Sequence, residues 1–431
     1  MGRSSTPRDT RLWHPFGAMG QVRSSELVVT RADDVWIWDD AGNRYLDATA
    51  SLWYMNAGHG RREIVDAVRD QLSELEAFST FNDFANRPAI DLAARLADLS
   101  PMSDARVFLT SGGGDSIDTA AKLARRYWSL VGEPQRTTIM YRDRAYHGTH
   151  GFGTSLAGLA PNREGFGPLH PGTAPISRSS VDEVRRAIER EDPAKVAAVF
   201  VEPVIGAGGV HPPPDGYLEG VAAICREIGA LLVLDEVICA FGRLGHWFSA
   251  ARWGLAPDLI TFAKGVSSGY LPIGGVIASG RVAEPFWDGP DDVVFRHGAT
   301  FSGHPACCAA ALANLDVLER EGLVPRGAQL ERALLDALAP LSARDSVAEV
   351  RGGVGLLAAV ELAPELLARL PDGTVGFARE VRKRGVIVRP LGTAVAVSPP
   401  LTATREHLEL AATAIDAALV DADVEIAGAG R

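Results

Sequence analysis

The sequence predicts an α/β fold, in which helices cover a mostly parallel sheet, accompanied by a smaller α+β domain. Short apolar runs at residues 230–234 and 259–263 each end in charged residues or glycine. Such runs are typical of strands that are buried on both faces of a parallel sheet. From about residue 325 the pattern changes to helix, strand, strand, helix, with strands predicted at 386–390 and 394–397. This change predicts the smaller domain.

Composition argues against several classes of function. The 431 residues carry a formal net charge of −11, which disfavours nucleic acid or an anionic membrane surface as the main partner. No apolar run is as long as a bilayer span, and residues 1–16 lack the apolar stretch of a secretory signal. The four cysteines form no CxxC pair, so neither a disulfide nor a metal site is expected. We therefore expect a cytoplasmic protein with reduced cysteines.

The elements of the first hundred or so residues can be assigned from local patterns. Residues 35–38 followed by the turn signal at 39–42 predict a β-hairpin within residues 27–48. Apolar residues at helical spacing predict one helix from Glu63 to about Leu75 and another that begins at Pro88.

The central part of the chain alternates strand and helix patterns, as a helix-covered parallel sheet requires. Glycines and prolines between residues 144 and 175 predict a long loop. Besides the two apolar runs above, the patterns predict strands at 107–110, 137–141, 196–203 and 273–278, and helices at 116–128, 181–191 and 306–319.

A glycine-rich turn at residues 112–114 joins one of these strands to the next helix. Glycines before a helix leave backbone N–H groups free, and these groups, together with the helix dipole, favour a bound phosphate. The stretch is not GxxxxGK[ST], so a nucleoside-triphosphate-hydrolysing loop is not expected.

Asp235 and Lys264 follow the two apolar runs directly. In open α/β sheets, functional groups collect beyond the carboxyl ends of the strands, so both side chains can reach one crevice. A lysine and a carboxylate are what pyridoxal phosphate (PLP) needs, one for a Schiff base and one for its ring nitrogen. A structural ion pair at two strand ends would have the same sequence, and on these two residues alone both interpretations stay open.

Several further stretches in the chain have to be taken together and in order. They are LWHPF, LWYMNAGHGR, TSGGGDSIDTAAKLARRYW, YHGTHG, EPVIGAGGV, LDEVICAFGRLG, PDLITFAKGVSSGYLPIGG, HGATFSGHP and VIVRPLGTAVAVSPPL. On these stretches the chain resembles the class III PLP-dependent aminotransferases, the family of the ω-transaminases, over nearly its whole length. The resemblance implies the fold type I architecture, PLP as cofactor, and a homodimer whose active sites lie at the subunit interface.

With this resemblance, the chain divides into three predicted parts. Residues 1–60 would join the small domain and the substrate pocket, and residues 61–315 would form the large PLP-binding domain. Residues 316–431 would form the C-terminal small domain.

The family's roles at the PLP ring can be carried over to matching positions. The resemblance implies that Lys264 is the Schiff-base lysine and moves the proton, and that Asp235 pairs with the pyridinium nitrogen. Val237 would pack on one ring face and Tyr146 would stack on the other. His147 is expected in the cofactor site as a hydrogen-bonding partner, not as a catalytic base.

Other matched positions concern the phosphate and the substrate. Gly113 and Gly114 would offer backbone N–H groups to the phosphate, and Thr300 would reach it from the neighbouring subunit. Arg389 resembles the mobile arginine that pairs with a substrate carboxylate, although a purely structural arginine is the alternative. The substrate pocket would be lined by two aromatic residues, Trp53 and Phe16, which could equally be core or interface residues.

Some positions depart from the family pattern. The family commonly has a serine and a glutamate where this chain has Gly114 and Asp115, so the loop is expected to bind phosphate mainly through its backbone. Ile238 stands where the ornithine and γ-aminobutyrate branch has glutamine, which disfavours that branch. Leu52 breaks the paired tryptophans of the diaminopelargonate enzymes.

The predicted function is a PLP-dependent transamination with a ping-pong mechanism. The donor would be a primary amine or an ω-amino acid, and the acceptor a keto acid, plausibly pyruvate. The alternatives are an aminomutase or racemase on the same fold, a diaminopelargonate-type biosynthetic transaminase, and a non-catalytic binding protein. The complete set of catalytic residues argues against the last.

Overall fold

The computed structural model describes residues 10–429, and side chains through residue 424. Residues 1–9 of the predicted N-terminal part therefore lie outside the described residues. In chain order the strands are β1 Val29–Asp33, β2 Trp36–Asp39, β3 Arg44–Asp47, β4 Arg106–Thr110, β5 Thr138–Arg142, β6 Thr173–Ile176, β7 Val196–Val201, β8 Leu231–Asp235, β9 Leu259–Phe262, β10 Gly274–Ala278, β11 Val347–Arg351, β12 Ala358–Leu362, β13 Val386–Ile387, β14 Arg389–Leu391 and β15 Ala394–Val397.

The helices surround these strands, and none that is described combines the length and apolar character needed to cross a membrane. In chain order they are α1 Met19–Ser25, α2 Ala50–Trp53, α3 Arg62–Glu74, α4 Arg87–Leu99, α5 Gly113–Leu130, α6 Gly151–Ser155, α7 Val181–Arg190, α8 Tyr217–Ile228, α9 Gly280–Trp287, α10 Pro305–Arg320, α11 Arg326–Leu338, α12 Pro364–Leu367, α13 Gly373–Lys383 and α14 Arg405–Ala429.

The large sheet has seven strands in the order β4-β10-β9-β8-β7-β5-β6. The five strands from β9 to β6 pair in parallel, whereas β10 runs antiparallel to both of its neighbours. The predicted mostly parallel sheet is confirmed. Its crossovers place helices on both faces, so its strands are mostly apolar.

Burial of β8 shows why the strand patterns are continuous rather than alternating. Leu231 and Val233 pack in the cluster that contains α5, while Leu232 and Leu234 pack in the main core with α8 and α10. All five residues of β8 are buried. A strand with no solvent-facing side has to be apolar at every position, up to the residue where it leaves the sheet.

Two smaller sheets complete the predicted α+β part. One has the order β1-β2-β3-β13 and joins the predicted hairpin to a C-terminal strand, since β13 pairs in parallel with β3. The hairpin turn is fixed by Asp39, whose carboxylate accepts the N–H groups of Ala41 and Asn43 at 3.0 and 2.8 Å. The other sheet, β11-β12-β15-β14, comes entirely from the C-terminal part.

The structure adds elements that the sequence analysis did not predict, among them β11 and β12, and it differs from the predictions at other places. Helix α5 begins at Gly113 rather than at Ser116, because glycine can occupy the first helical turn. The predicted loop at residues 144–175 contains the short helix α6. The single strand predicted at 386–390 is divided between β13 and β14, which belong to different sheets. A uniform apolar pattern cannot reveal such a change of partner.

Candidate active site

A cavity of about 130 Å³ lies beyond the carboxyl ends of β7, β8 and β9. Its position is that expected for a ligand site in an open α/β sheet. The cavity is lined by Gly113, Gly114, Ile117, Tyr146, His147, Gly148, Glu202, Asp235, Val237, Ile238 and Lys264.

Lys264 comes two positions after the last residue of β9 and faces this cavity. Its backbone lies in the left-handed region, with φ at 47°, which is a strained conformation for a side chain of this size. Burial lowers the pKa of the Lys264 ammonium, and the charges of Asp235 and Glu202 partly oppose this effect. A larger fraction of neutral amine is therefore available for nucleophilic attack and proton transfer.

Asp235 is the last residue of β8 and is held by neighbours on both of its oxygens. Its Oδ1 accepts hydrogen bonds from the Val237 amide and the Thr261 hydroxyl, both at 3.1 Å. Its Oδ2 lies 2.7 Å from His147 Nδ1, which donates to it. These three donors fix the orientation of the carboxylate.

His147 is fully buried beside Asp235. Burial disfavours its charged form, but the hydrogen bond and charge of Asp235 outweigh burial and raise the pKa of His147. Its second ring nitrogen, Nε2, has no hydrogen-bond partner among the described residues. His147 thus reinforces the carboxylate at the cavity, as its predicted role as a hydrogen-bonding partner requires.

The glycine-rich turn forms a close-fitting wall at the start of α5. A Cβ on Gly113 would lie 3.0 Å from Val237 Cγ1, and a Cβ on Gly148 would lie 3.1 Å from Gly114 Cα. The hydroxyl of Ser116 bonds to Gly112 and Thr110, so it holds the turn instead of pointing outward. The free N–H groups at the N-terminus of this 18-residue helix are suited to a phosphate.

Comparison with known proteins identifies the family. Residues 19–419 match the model of the aminotransferase class-III family. The chain belongs to the class-III aminotransferases. It is therefore an enzyme that transfers amino groups, as the sequence predicted.

Relatives and solved structures resemble this aminotransferase over nearly its whole length. A β-alanine–pyruvate aminotransferase of Pseudomonas aeruginosa is 37% identical, over 94% of this chain and 95% of the relative. An (S)-enantioselective ω-transaminase of Thermomicrobium roseum is 41% identical with a TM-score of 0.89, covering 95% and 96% of the two chains. An amine transaminase of an uncultivated Pseudomonas species, in its PLP-bound form, is 34% identical with a TM-score of 0.90, covering 97% and 100%.

The cofactor of this family, PLP, fits the residues of the aminotransferase cavity. Lys264 and Asp235 offer the amine and the carboxylate, and Val237 and Tyr146 stand at the cavity wall where the two ring faces would pack. The narrow space at Gly113 admits no side chain, which keeps the backbone N–H groups accessible to a phosphate.

From the sequence, Glu202 could either orient the cofactor pocket or only end a strand, and the second was slightly favoured. In the structure it follows β7 directly and lines the cavity, and it accepts the Tyr146 and Gly206 amides at 2.9 and 3.0 Å. It therefore fixes the backbone that carries Tyr146. Its position directly after β7, like that of Asp235 after β8, was the available signal. Burial raises the pKa of its carboxyl, partly opposed by His147.

None of the three predicted substrate residues lines the cavity; two of them lie against each other, and the third lies against Tyr146. The Arg389 guanidinium carbon is 5.5 Å from the centre of the buried Trp53 ring, a cation–π distance. Burial lowers the pKa of Arg389, partly opposed by Tyr146. Phe16, which is 72% exposed, packs edge-on against Tyr146 with ring centres 6.4 Å apart.

Thr300 does not line the cavity of its own chain. It is exposed on the loop between α9 and α10. The contact of Thr300 with the phosphate of a neighbouring subunit stays a prediction.

Proposed function

We propose that the enzyme transfers an amino group from a primary amine or ω-amino acid to a keto acid, with pyruvate as acceptor, in a ping-pong cycle. The observation that carries the proposal is that Lys264 and Asp235 face one cavity, with Arg389 nearby. Pyruvate is supported by the name of the Pseudomonas aeruginosa relative. An aminomutase, a racemase or a diaminopelargonate-type enzyme is not favoured by this family match.

When bound, PLP supplies an electron sink that stabilises negative charge at the donor carbon. Lys264 would hold the cofactor through its Nζ, and once an amine donor has taken its place, the freed Nζ would be the group that moves the proton of the donor carbon. The lowered pKa of Lys264 suits this task, because a neutral amine is the base that the first proton transfer needs.

Asp235 would interact with the ring nitrogen of PLP, and His147 would support Asp235 through their hydrogen bond. The Asp235 carboxylate, already oriented by three donors, would keep a proton on that nitrogen and so preserve the electron sink. Val237 and Tyr146 would confine the ring between them, and Glu202 would keep Tyr146 in place through its backbone. The two glycines, Gly113 and Gly114, would bind the phosphate.

The test of the proposal is the absorption spectrum of the purified holoenzyme during each half-reaction. Addition of an amine donor should convert the cofactor to its amino form with release of one carbonyl product, and pyruvate should then restore the starting spectrum. A spectrum that only shifts, without conversion, would favour another PLP reaction. Retention of the amino group on the donor skeleton without a keto acid would identify an aminomutase.

Arg389 offers the means to distinguish acids from amines. A guanidinium binds a carboxylate through two parallel hydrogen bonds, whereas an amine without a carboxylate needs none of them. Its Nε has no partner among the described residues, and its guanidinium carbon lies over the Trp53 ring, 5.5 Å from the ring centre. We infer that Arg389 binds the keto acid and moves aside for the donor.

Replacing Arg389 with leucine should raise the KM for pyruvate about 10- to 100-fold, the loss expected for a charge-assisted hydrogen-bonded pair. The rate of the donor half-reaction with an amine that lacks a carboxylate should change by less than about threefold. Separate half-reaction kinetics with pyruvate and with such an amine measure both effects. Equal losses in both halves would mean that Arg389 only supports the fold.

We further propose that two copies of the chain form a dimer around the groove that adjoins the Thr300 loop. This groove encloses about 770 Å³, and its rim carries the exposed apolar side chains of Phe81 and Val294. Such a surface marks a protein interface more often than a free surface. A partner seated there would bring its Thr300 loop towards the other subunit's site.

Replacing Phe81 with aspartate should therefore convert the dimer to a monomer and lower activity, because a charge would be buried in an apolar contact. Val420→Asp provides the control, since Val420 is an exposed valine on α14. Sedimentation velocity across a concentration series measures the oligomeric state. A wild-type protein that sediments as a monomer at micromolar concentration would contradict the dimer.

The remaining assignments follow the family pattern. We propose the domain boundaries 1–60, 61–315 and 316–431 given above. A cytoplasmic location agrees with the four cysteines, all of which are free thiols in the structure. Trp53 and Phe16 would shape the part of the pocket that receives the donor.

A further inference from the structure

Helix α2 is a single short turn whose backbone is strained. Three of its four residues have a positive φ, namely Ala50 at 45°, Ser51 at 59° and Trp53 at 59°. This left-handed region favours glycine, because a Cβ atom there crowds the backbone. Each such residue costs free energy, and the conformation persists only where neighbouring groups hold it. The turn therefore needs a group that fixes it.

Asp47, the last residue of β3, holds this turn with its carboxylate. Both of its oxygens accept the Ser51 amide, at 2.9 and 2.7 Å, and Oδ1 also accepts the Thr49 hydroxyl at 3.0 Å. Its Oδ2 lies 3.0 Å from His59 Nε2. Asp47 is only 2% exposed, so these bonds lie away from bulk water. The Thr49 carbonyl accepts the Trp53 amide at 2.9 Å, which closes the turn.

The turn determines where the Trp53 ring lies. Because the φ of Trp53 is itself positive, the direction in which the ring leaves the backbone depends on the conformation that Asp47 holds. The ring is buried, and the Arg389 guanidinium carbon lies over it, 5.5 Å from its centre. Arg389 Nε has no hydrogen-bond partner in the described part of the chain, so the guanidinium is oriented by this ring and not by a bond at Nε. Contacts thus run from Asp47 through the turn and Trp53 to Arg389.

We propose that Asp47 is a positioning residue for the keto acid, because it holds the strained turn that sets the Trp53 ring beside Arg389. The inference rests on the proposed function, in which Arg389 binds the carboxylate of the acceptor. A guanidinium forms two parallel bonds to a carboxylate only when its plane is correctly turned. A turn released from Asp47 would let the ring move, and the guanidinium would lose part of this alignment. Asp47 itself does not line the cavity.

The experiment measures how strongly the holoenzyme prefers pyruvate to propanal, a small aldehyde without a carboxylate. The readout is the ratio of the two kcat/KM values, because a general disturbance of the pocket affects both acceptors. Asp47→Asn keeps the shape of the side chain but removes its charge and one of its two acceptor oxygens. We expect the ratio to fall about three- to tenfold.

Arg389→Leu provides the reference for a double-mutant cycle. If Asp47 acts through the guanidinium, Asp47→Asn should change the ratio by less than about twofold in the Arg389→Leu background. A merely structural role of Asp47 would lower the ratio by the same factor in both backgrounds.

Asp39 offers a matched control. It is another buried carboxylate at the end of a strand, 7% exposed, and it holds the turn after β2 through the amides of Ala41 and Asn43. Asp39→Asn should lower stability for the same reason as Asp47→Asn. It should leave the ratio unchanged, because its turn does not lead to Trp53.

His59→Leu is a milder variant that keeps the inference testable if Asp47→Asn does not fold. The Asp47 charge also favours the buried Arg243 guanidinium, whose pKa burial lowers to about 10, so Asp47→Asn is expected to lose stability. His59→Leu removes only the contact at Asp47 Oδ2 and keeps the bonds to Ser51. It should lower the ratio about two- to fourfold, and again only while Arg389 is present.

The outcomes separate this inference from the proposed function. A wild-type enzyme without a preference for pyruvate, or a preference that survives Arg389→Leu, would contradict the role of Arg389 itself. A preference that Arg389→Leu abolishes but that His59→Leu and folded Asp47→Asn both retain would overturn the role of Asp47 alone. A fall by equal factors in both backgrounds would also overturn it, since Asp47 would then act on the pocket as a whole.

Discussion

Replacing Lys264 with alanine is expected to abolish transamination, with a loss in kcat of roughly ten-thousand-fold or more. Among the described residues that line the cavity, Lys264 is the one lysine, and the variant loses both the covalent attachment of the cofactor and the base that would move the proton. Burial lowers the pKa of Lys264. An exposed lysine, whose pKa burial does not lower, would not supply the same neutral amine. Steady-state turnover with an amine donor and pyruvate measures the loss.

A small amine added to the solution provides the control for Lys264→Ala. If the side chain acts as the proton carrier, such an amine should recover part of the rate in proportion to its concentration and basicity. Lys122→Ala, at a lysine outside the cavity that contacts His297, should retain wild-type turnover. Turnover of Lys264→Ala within tenfold of the wild type would contradict the assignment.

Replacing Asp235 with asparagine is expected to lower kcat/KM by roughly 100- to 1,000-fold, the loss typical of one preorganised electrostatic group. The change keeps the shape but removes the charge that would pair with the ring nitrogen. It also removes the carboxylate that raises the pKa of His147. Rates of the two half-reactions should fall together, because both depend on the same electron sink.

Asp258→Asn is the matched control for this change. Asp258 is a largely buried carboxylate beside the same sheet, where it accepts the Leu232 amide at 2.9 Å, but it does not line the cavity. Its variant should lose stability without a comparable loss in kcat/KM. The proposed role of Asp235 would be wrong if Asp235→Glu, which keeps the charge, were as impaired as Asp235→Asn while both remained folded.

Local patterns were sufficient for the strands that carry the chemistry. Strand β8 is buried on both faces and is apolar through Leu234, so Asp235 stands out as the charged residue at its end. In the same way Lys264 stands out shortly after the apolar strand β9. The turn at Gly113 is equally local, since its glycines stand directly between a strand and a helix. Each of these residues lies within a few positions of the strand or helix pattern that reveals it.

Other features depended on contacts between segments that are distant in the sequence. The functional position of Glu202 appears only when β7 and β8 lie side by side and the loop at Tyr146 folds over them. The division of residues 386–390 between two sheets depends on which strand each half meets, because an apolar residue satisfies either partner equally well. Arg389 and Trp53 are also distant in the sequence, and only the tertiary fold brings them together.

The sequence by itself determined the fold class, the family, and the positions of Asp235 and Lys264 at two strand ends that face one cavity. These positions follow from burial and backbone geometry along the chain. Only the tertiary structure decided that Arg389 lies over Trp53 and that Glu202 supports Tyr146. These contacts join separate segments, and their geometry is set by close packing and by the need of buried polar groups for partners, neither of which leaves a periodic signal in the sequence.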